Sequence, residues 1–410
     1  MSTLAGRRAL LGVSGGIACY KACTVARRLT EAGVQVDVVL TASAAEFIRP
    51  LTFEALTDRP VITSLWDRGR ALDHVRLGRE PVDLIIVAPA TAQLIARMAQ
   101  GMADDFLTAV LLARKAPLLL CPAMNDEMYR HPATQENLGR LAASGQRPAV
   151  SDLTVLGPVS GPLAHGEGEG PGRMVEPEDI VAHAERMLLT GPPFAGRHVV
   201  VTAGPTREPL DPVRVVTNRS SGRMGYALAR AAWRRGAGVT LISGPTGIPV
   251  PPGMKRVRVN TTEELKDAIS AVLPSTDVLI MAAAPADYQP GQVATEKAKR
   301  AAGVWTVALE PTIDVLGSTA YWRRTSTLVV GFALETENLL ENARAKLVAK
   351  QLDLIVANLV SERTGPDTPT NQVTLIGKDG AVEELPLMSK DDTAEAIVDR
   401  VGALLERARS

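Results

Sequence analysis

Two glycine-rich turns constrain this chain more than any other feature: Leu10-Leu11-Gly12-Val13-Ser14-Gly15-Gly16-Ile17 and Val199-Val200-Val201-Thr202-Ala203-Gly204-Pro205-Thr206. Each follows a run of aliphatic residues and opens a helix. A strand that delivers its C-terminal end into glycines and then a helix offers free backbone N–H groups at the positive end of the helix dipole, which together make an anion site. Two such turns imply two phosphate-bearing ligands. Neither has the G-x-G-x-x-G spacing of dinucleotide binders, and no G-x-x-x-x-G-K-[ST] loop occurs, so NAD and P-loop readings lose ground. Glycine used only for tight packing is the alternative for either turn taken singly, and the flanking residues decide.

Short apolar runs alternate with helical stretches on both sides of the chain's midpoint. In the first half Ala9–Val13, Val34–Leu40, Leu84–Ala88 and Leu118–Cys121 read as strands, with Ile17–Ala32, Ala92–Gln100 and Ala133–Ser144 as helices. After Arg197 the rhythm restarts with strands Val199–Ala203, Val239–Ser243, Val278–Ala283, Leu328–Phe332 and Leu354–Ala357. Near-continuous apolar strands separated by helices predict parallel sheets covered on both faces, an α/β class with two Rossmann-like domains. A chain of 410 residues exceeds what one core usually serves. The break at Thr190-Gly191-Pro192-Pro193 divides it into residues 1–190, a linker at 191–196, and residues 197–410. The glycine- and proline-dense segment from Ser151 to Gly172 interrupts the first rhythm and reads as a flap.

Lys+Arg and Asp+Glu both number 45, which leaves no basic excess for a nucleic-acid backbone or a membrane surface. The N-terminal residues carry no signal-peptide pattern, and no apolar run approaches a membrane span, so a cytoplasmic protein is expected. Cys19, Cys23 and Cys121 are few, odd in number and without a C-x-x-C pair, which argues against disulfides and zinc and reads as buried packing residues.

Residues able to do chemistry gather where strands end: Ser14, Gly15 and Gly16, then Thr41 and Ser43, then Pro89-Ala90-Thr91, then Pro122-Ala123-Met124-Asn125. The ligand crevice of an open parallel sheet lies outside those ends, although each hydroxyl or amide there is also a candidate helix cap. His74, beside Asp73, is a candidate base or carboxylate partner and, alone, equally a surface histidine. Together Gly15-Gly16-Ile17-Ala18-Cys19-Tyr20-Lys21, His74, Pro89-Ala90-Thr91-Ala92 and Pro122-Ala123-Met124-Asn125-Asp126-Glu127-Met128-Tyr129 resemble, in order, the motifs of the homo-oligomeric flavin-containing cysteine decarboxylases, phosphopantothenoylcysteine decarboxylase in particular. The resemblance covers residues 1–189 and implies a flavodoxin-like domain with noncovalent FMN. It places the flavin phosphate near Ser14, Gly15, Gly16 and Ile17, with further contacts from Thr41, Ser43, Ala90, Thr91 and Ala92, in a site shared between subunits of a trimer. It implies that His74 handles the substrate's carboxylate and thiol region and that the Asn125 amide orients the carboxylate. One departure stands out: the family's proton-donating flap cysteine, in an A-C-G context, is replaced by His165 in Ala164-His165-Gly166. The last proton transfer is then open between His165, another group or water, and Cys121, and a chain with an impaired decarboxylase half is the alternative.

In the second half, the run from Thr202 to Arg214 is dense in prolines and leads to Thr217-Asn218-Arg219-Ser220-Ser221-Gly222-Arg223-Met224-Gly225, where Ser220 or Ser221 can cap a helix over Met224–Arg235. Beyond it come Ala282-Ala283-Ala284-Pro285-Ala286-Asp287-Tyr288, Glu296-Lys297-Ala298-Lys299-Arg300, Gly331-Phe332-Ala333-Leu334-Glu335 and the pair Lys346 and Lys350. From about Gly196 to the C-terminus these are similar to the bacterial, CTP-using phosphopantothenate–cysteine ligases. The resemblance implies that Met281, Ala282, Ala283, Asp287 and Phe332 meet cytosine and ribose, and that Ile313, Asp314, Val315 and Leu316 line the same pocket. Lys297, Lys346 and Lys350 would neutralise the triphosphate beside Mg2+, whose ligands are not identified; Asn218 would bind an acyl cytidylate, and Lys297 would also assist cysteine attack. Together the two resemblances imply a fused bifunctional enzyme of coenzyme A synthesis, expected to use small-molecule substrates and FMN, CTP and Mg2+. Its expected assembly is a homo-oligomer of decarboxylase trimers and ligase dimers, up to a dodecamer.

Overall fold

Strand runs that are apolar at every position can be buried only between two layers, and both halves of the chain do this. The structure is a computed structural model that describes residues 4–66, 82–144, 153–164, 166, 168–189, 191–251, 253–299, 304–335, 337–359, 364–365 and 368–407. It divides into two units, Met1–Leu189 and Thr190–Ser410.

In the first unit β1 (Arg8–Val13), β2 (Gln35–Leu40), β3 (Leu84–Ala90), β4 (Leu118–Pro122) and β5 (Leu153–Val155) form a parallel sheet in the order β2-β1-β3-β4-β5. Successive strand residues point to opposite faces, so Leu84, Ile86 and Ala88 of β3 enter the core on one side while Ile85 and Val87 enter the core on the other, which Ala90 joins past an irregularity between Val87 and Ala90. The first helix begins at Cys19, two residues later than its sequence pattern suggests, and buries Cys19, Ala22, Val25, Ala26 and Leu29 at helical spacing. Ile17 and Ala18 instead form a turn, which leaves Ile17 exposed beside the end of β1. The segment expected to be a flap contains a hairpin, β6 (Val159–Pro162) against β7 (Glu169–Arg173).

The second unit is built on β8 (His198–Ala203), followed by a ribbon of β9 (Arg207–Pro209) and β10 (Val215–Thr217), then β11 (Gly238–Ser243), β12 (Lys255–Arg258) and β13 (Val278–Met281). A second ribbon pairs β14 (Tyr288–Pro290) with β15 (Leu309–Pro311) before β16 (Leu328–Glu335) and β17 (Leu354–Leu359). The chain closes with β18 (Thr370–Asn371), β19 (Val373–Gly377), β20 (Val382–Glu384) and β21 (Met388–Ser389). The main sheet runs β12-β11-β8-β13-β16-β17-β19-β20, parallel as far as β17 and antiparallel at β19 and β20. Its six parallel strands follow the doubly wound order in which the sheet reverses direction beside the first strand. Helix Arg223–Arg234 packs on β8, with Gly225 so close that a Cβ there would stand 2.6 Å from that of Ala203. Its outer face meets the C-terminal helix Lys390–Arg407 through a ladder of ion pairs, Arg230 to Asp391, Arg234 to Glu395, and Arg235 to both Glu395 and Asp399.

Candidate active sites

In a doubly wound sheet neighbouring loops diverge to opposite faces where the strand order reverses, and the gap between them is the ligand crevice. In the first unit the reversal falls between β1 and β3, and a cavity of about 490 Å3 opens there. Gly15, Gly16 and Ile17 line it from the β1 turn, Pro89, Thr91 and Ala92 from the β3 turn, and Ala123, Met124 and Asn125 from the end of β4. Ser14 ties two of these turns together: its buried hydroxyl donates to the Pro89 carbonyl (2.8 Å) and accepts from the Thr91 amide (3.0 Å). No hydrogen bond among the described residues uses the amides of Gly15, Gly16 or Ile17. That open row of donors fits the phosphate of a flavin mononucleotide.

The caps are divided among the neighbouring helices. Thr41 caps helix Ala42–Phe47 through the Ala44 amide, Thr91 caps helix Ala92–Gln100 through the Leu94 amide, and Asn125 caps helix Asp126–Arg130 by accepting from Glu127 N–H (2.9 Å). The Asn125 oxygen is thereby engaged, and its amide nitrogen is the end left to meet a carboxylate. Ser43 is exposed and bonded to the Thr41 hydroxyl (3.2 Å), while Ala90 is buried in the core; Thr41, Ser43 and Ala90 do not line the cavity. Cys121 is wholly buried and does not line the cavity, and burial pushes its thiol strongly up, which makes it a poor proton donor.

The hairpin closes one side. Gly172, at φ 149°, accepts from the Met124 amide through its carbonyl (2.9 Å), and a Cβ on it would collide with the Met124 carbonyl. Leu163 and Ala164 line the cavity opposite the β1 turn. Lys21, a buried cation in the cavity wall, donates to the Met174 carbonyl (3.1 Å) and to Glu176, which also pairs with Arg173. His74 and His165 lie outside the described residues.

The second unit's reversal lies between β8 and β13, and a cavity of about 570 Å3 opens at it. Ala282, Ala283 and Asp287 follow β13, Phe332 and Leu334 belong to β16, and Asn218, Ser220 and Gly222 come from the loop that leads into helix Arg223–Arg234. That helix starts on Gly222 at φ 76° with no side-chain cap. The cap position is therefore held by Gly222 and not by Ser220 or Ser221 as expected; Ser220 Oγ accepts from the Gly222 amide (3.4 Å). An uncapped N-terminus keeps its positive end available to an anion, with Arg219 and Arg223 beside it. Asn218 donates to the Pro285 carbonyl (2.8 Å) and reaches Asp287 (3.5 Å), which fixes the loop to the β13 turn. Lys346 Nζ donates to the Phe332 carbonyl (2.8 Å); burial pulls its ammonium below the ordinary lysine range, against the opposing pull of Glu335.

Several expected residues stand apart from this cavity. Met281 is buried in the core and touched by the Thr202 hydroxyl (3.8 Å). Asp314 caps helix Val315–Thr319 and is paired with Lys350, Val315 and Leu316 are core residues, and Ile313 is exposed; none lines the cavity. Lys297 is exposed on the loop after β14, also outside the lining. That loop is anchored next to it: Ala298 N–H donates to Asp211 Oδ2 (3.3 Å) and its carbonyl accepts from Arg214 (3.0 Å). Lys390, Asn358 and Asn371 line the cavity although no motif pointed to them. Two signals were present: a lysine opening a helix opposes the dipole, and an asparagine interrupts the apolar strand Leu-Ile-Val-Ala-Asn-Leu. Among the described residues no group of three or more His, Cys, Asp or Glu converges on a metal position. No described helix is long and apolar enough to cross a membrane.

A family model described as Flavoprotein matches residues 2–189, and one described as DNA/pantothenate metabolism flavoprotein C-terminal domain matches residues 194–404. The coenzyme A biosynthesis bifunctional protein CoaBC of Vibrio cholerae serotype O1 is 45% identical over 403 residues, covering 97% of this chain and 98% of that protein. The protein of the same name from Bacillus subtilis strain 168 is 44% identical over 407 residues, covering 98% of each. A crystal structure of the C-terminal domain of such a protein covers 52% of this chain and 98% of its own at 38% identity, with a TM-score of 0.45.

Proposed function

The chain belongs to the family of bifunctional coenzyme A biosynthesis proteins, and from that premise we propose how its two cavities divide the work. It is a bifunctional enzyme, a ligase and a flavoprotein decarboxylase in one chain, that carries out two consecutive steps of coenzyme A biosynthesis. The second unit condenses 4'-phosphopantothenate with cysteine, and the first decarboxylates the product to 4'-phosphopantetheine. Two cavities in one chain, each at a strand-order reversal beside an open anion-accepting turn, support this reading most directly.

A carboxylate is inert to an amine until it is an anhydride. In the ligase reaction the substrate carboxylate attacks the α-phosphorus of CTP and expels pyrophosphate; the cysteine amine then attacks the acyl carbon and expels CMP. The N-terminus of helix Arg223–Arg234 holds the phosphate of phosphopantothenate, Asn218 orients the acyl cytidylate, and Lys346 faces the triphosphate from β16's side of the cavity. Ala282, Ala283, Asp287 and Phe332 receive the nucleoside. Lys297 reaches the phosphates and the incoming amine from its loop. Mg2+ is carried by the triphosphate oxygens and water, in keeping with its reluctance to dehydrate.

In the decarboxylase, bound FMN would supply reversible hydride chemistry, accepting a hydride from the sulfur-bearing carbon so that this carbon becomes the electron sink for loss of CO2, and returning it when the enethiolate is protonated, so that no net oxidation occurs. The chain's own residues do the rest. The amides of Gly15, Gly16 and Ile17 hold the flavin phosphate, the Asn125 amide orients the substrate carboxylate, His74 contacts the carboxylate and thiol region, and His165 returns a proton to the enethiolate. Exposed Ile17, Tyr20 and Met128 at the cavity rim support completion of the site by another subunit of a homo-oligomer. Cytoplasmic location suits a chain that uses CTP and keeps three free cysteines.

The test uses the full chain with FMN. Pyrophosphate release should require both 4'-phosphopantothenate and CTP, and mass spectrometry should then find 4'-phosphopantetheine and CO2 only when cysteine is added. Pyrophosphate release that ignores 4'-phosphopantothenate would overturn the ligase reading, and accumulation of the undecarboxylated conjugate would overturn the decarboxylase reading.

A further inference from the structure

The ligase cavity extends past every residue used above. Its floor runs along strand ends from β13 through β16 to β17, so Asn358 on β17 stands two strands, roughly 10 Å, from the Ala282–Ala283 turn. Asn358 pairs with Leu334 on one side and Val373 on the other and is 8% exposed. Its Nδ2 donates to Asn371 Oδ1 (3.2 Å), while its own Oδ1 is buried without any hydrogen-bond partner. Asn371 in turn reaches Met224 Sδ (3.5 Å), in the first turn of the uncapped helix Arg223–Arg234. Lys390, 7% exposed, lines the same wall and donates to the Gly365 carbonyl (3.0 Å).

A buried amide oxygen with no donor carries a full desolvation cost, and in a cavity wall its natural complement is a donor on the ligand. Lys390 lines the same wall, and an ammonium close to the amide favours an uncharged donor over the cysteine ammonium. The nucleoside's donors belong at the β13 end. What remains is the acyl substrate, whose secondary hydroxyl sits on the third carbon from its phosphate ester oxygen, and the phosphate lies at the helix that Met224 opens.

Resting on the ligase reading, we propose that Asn358 Oδ1 accepts a hydrogen bond from the secondary hydroxyl of the pantoyl group, with Asn371 fixing the amide's orientation. This makes Asn358 a specificity-determining residue for the α-hydroxy amide substrate. A site built around a hydrogen bond rejects a ligand that lacks its donor.

The test compares pyrophosphate release by the full chain from 4'-phosphopantothenate and from its analogue with hydrogen in place of that hydroxyl. Wild type should prefer the hydroxylated substrate by about tenfold in kcat/KM. Asn358→Leu should use both equally with KM for CTP unchanged, and Asn358→Asp, which keeps the acceptor, should keep the preference. A preference that persists in Asn358→Leu overturns the assignment. So does a wild type that never discriminates, which settles the matter even where the leucine variant does not fold. Absence of any release from 4'-phosphopantothenate and CTP by wild type would defeat the ligase reading itself.

Discussion

The two cavities occupy the same place in two related sheets and differ in the charge that surrounds them. Around the first, three helix N-termini are closed by their own caps, Thr41, Thr91 and Asn125, while the leading helix Cys19–Glu31 starts from Ala18 with no side-chain cap; among the described residues the wall carries Lys21 and Arg173 as cations, both turned to Glu176. Around the second, the leading helix also starts without a side-chain cap, and four cations, Arg219, Arg223, Lys346 and Lys390, line the space. Fold topology therefore sets where ligands bind and the open start of each leading helix gives an anion position, while the number of surrounding cations decides how much charge the site can accept. A mostly apolar slot with one row of open amides suits a flat ring system bearing a single phosphate. A wall with more cations suits the triphosphate and phosphate ester proposed for the second cavity.

The comparison breaks most visibly at Asn125. Asn125→Ala removes both a helix cap and the carboxylate-orienting amide, so decarboxylation should fall by about 100-fold or more while the protein stays yellow and ligase activity is unchanged. Absorbance at the flavin band and separate assays of the two steps would check this. Gly172→Ala comes next: a Cβ there meets the Met124 carbonyl, so the hairpin must shift, and decarboxylation should drop roughly 10- to 100-fold with the ligase step again untouched. Equal loss of both activities would show that the sites are not independent.

Lys346 tests the other side of the contrast. Because burial lowers its pKa, raising the pH through that lowered value discharges the ammonium before ordinary lysines titrate, so KM for CTP should climb at alkaline pH. Lys346→Met should raise KM for CTP about tenfold at neutral pH and abolish this alkaline limb. The smallest effect concerns Asp211. Burial alone pushes its carboxyl up, but the amides of Val213, Arg214 and Ala298 and the Arg214 guanidinium outweigh it and hold it at about 2. A depressed carboxylate contributes stability that is complete above its unfolded value of about 4 and is lost as pH falls through its folded one. Between those limits Trp305, which lies under the Arg214 guanidinium at 5.2 Å, should report loosening of the turn, and Asp211→Asn should flatten that response.

The sheets were legible because their strands are long and unbroken: β3 and β8 differ from their sequence-read bounds by at most two residues. Strand β12 was not, since Lys-Arg-Val-Arg holds a single apolar residue and pairs only at an edge. The antiparallel strands β19 and β20 also escaped, because their pairing is set by tertiary contact with β17 and not by a βαβ rhythm. For the sites, motifs located the strand-end turns but not which atoms face the space. Asp314 looked like a ligand contact and is a helix cap paired with Lys350, and Met281 ends its strand pointing into the core. Asn358 and Lys390 needed the fold, since they lie far along the chain from the Gly222 turn and reach it only through sheet order.

The ion-pair ladder between helices Arg223–Arg234 and Lys390–Arg407 also orders events in time. The first unit's elements are contained in its own leading stretch of chain, so it can form while the ribosome is still translating the rest. The phosphate-binding helix of the second unit is made early but leans on a partner encoded last. Nascent chains stalled before residue 390 should therefore bind flavin yet offer no ligase, and the enzyme that acts second in the pathway is the one that is finished first.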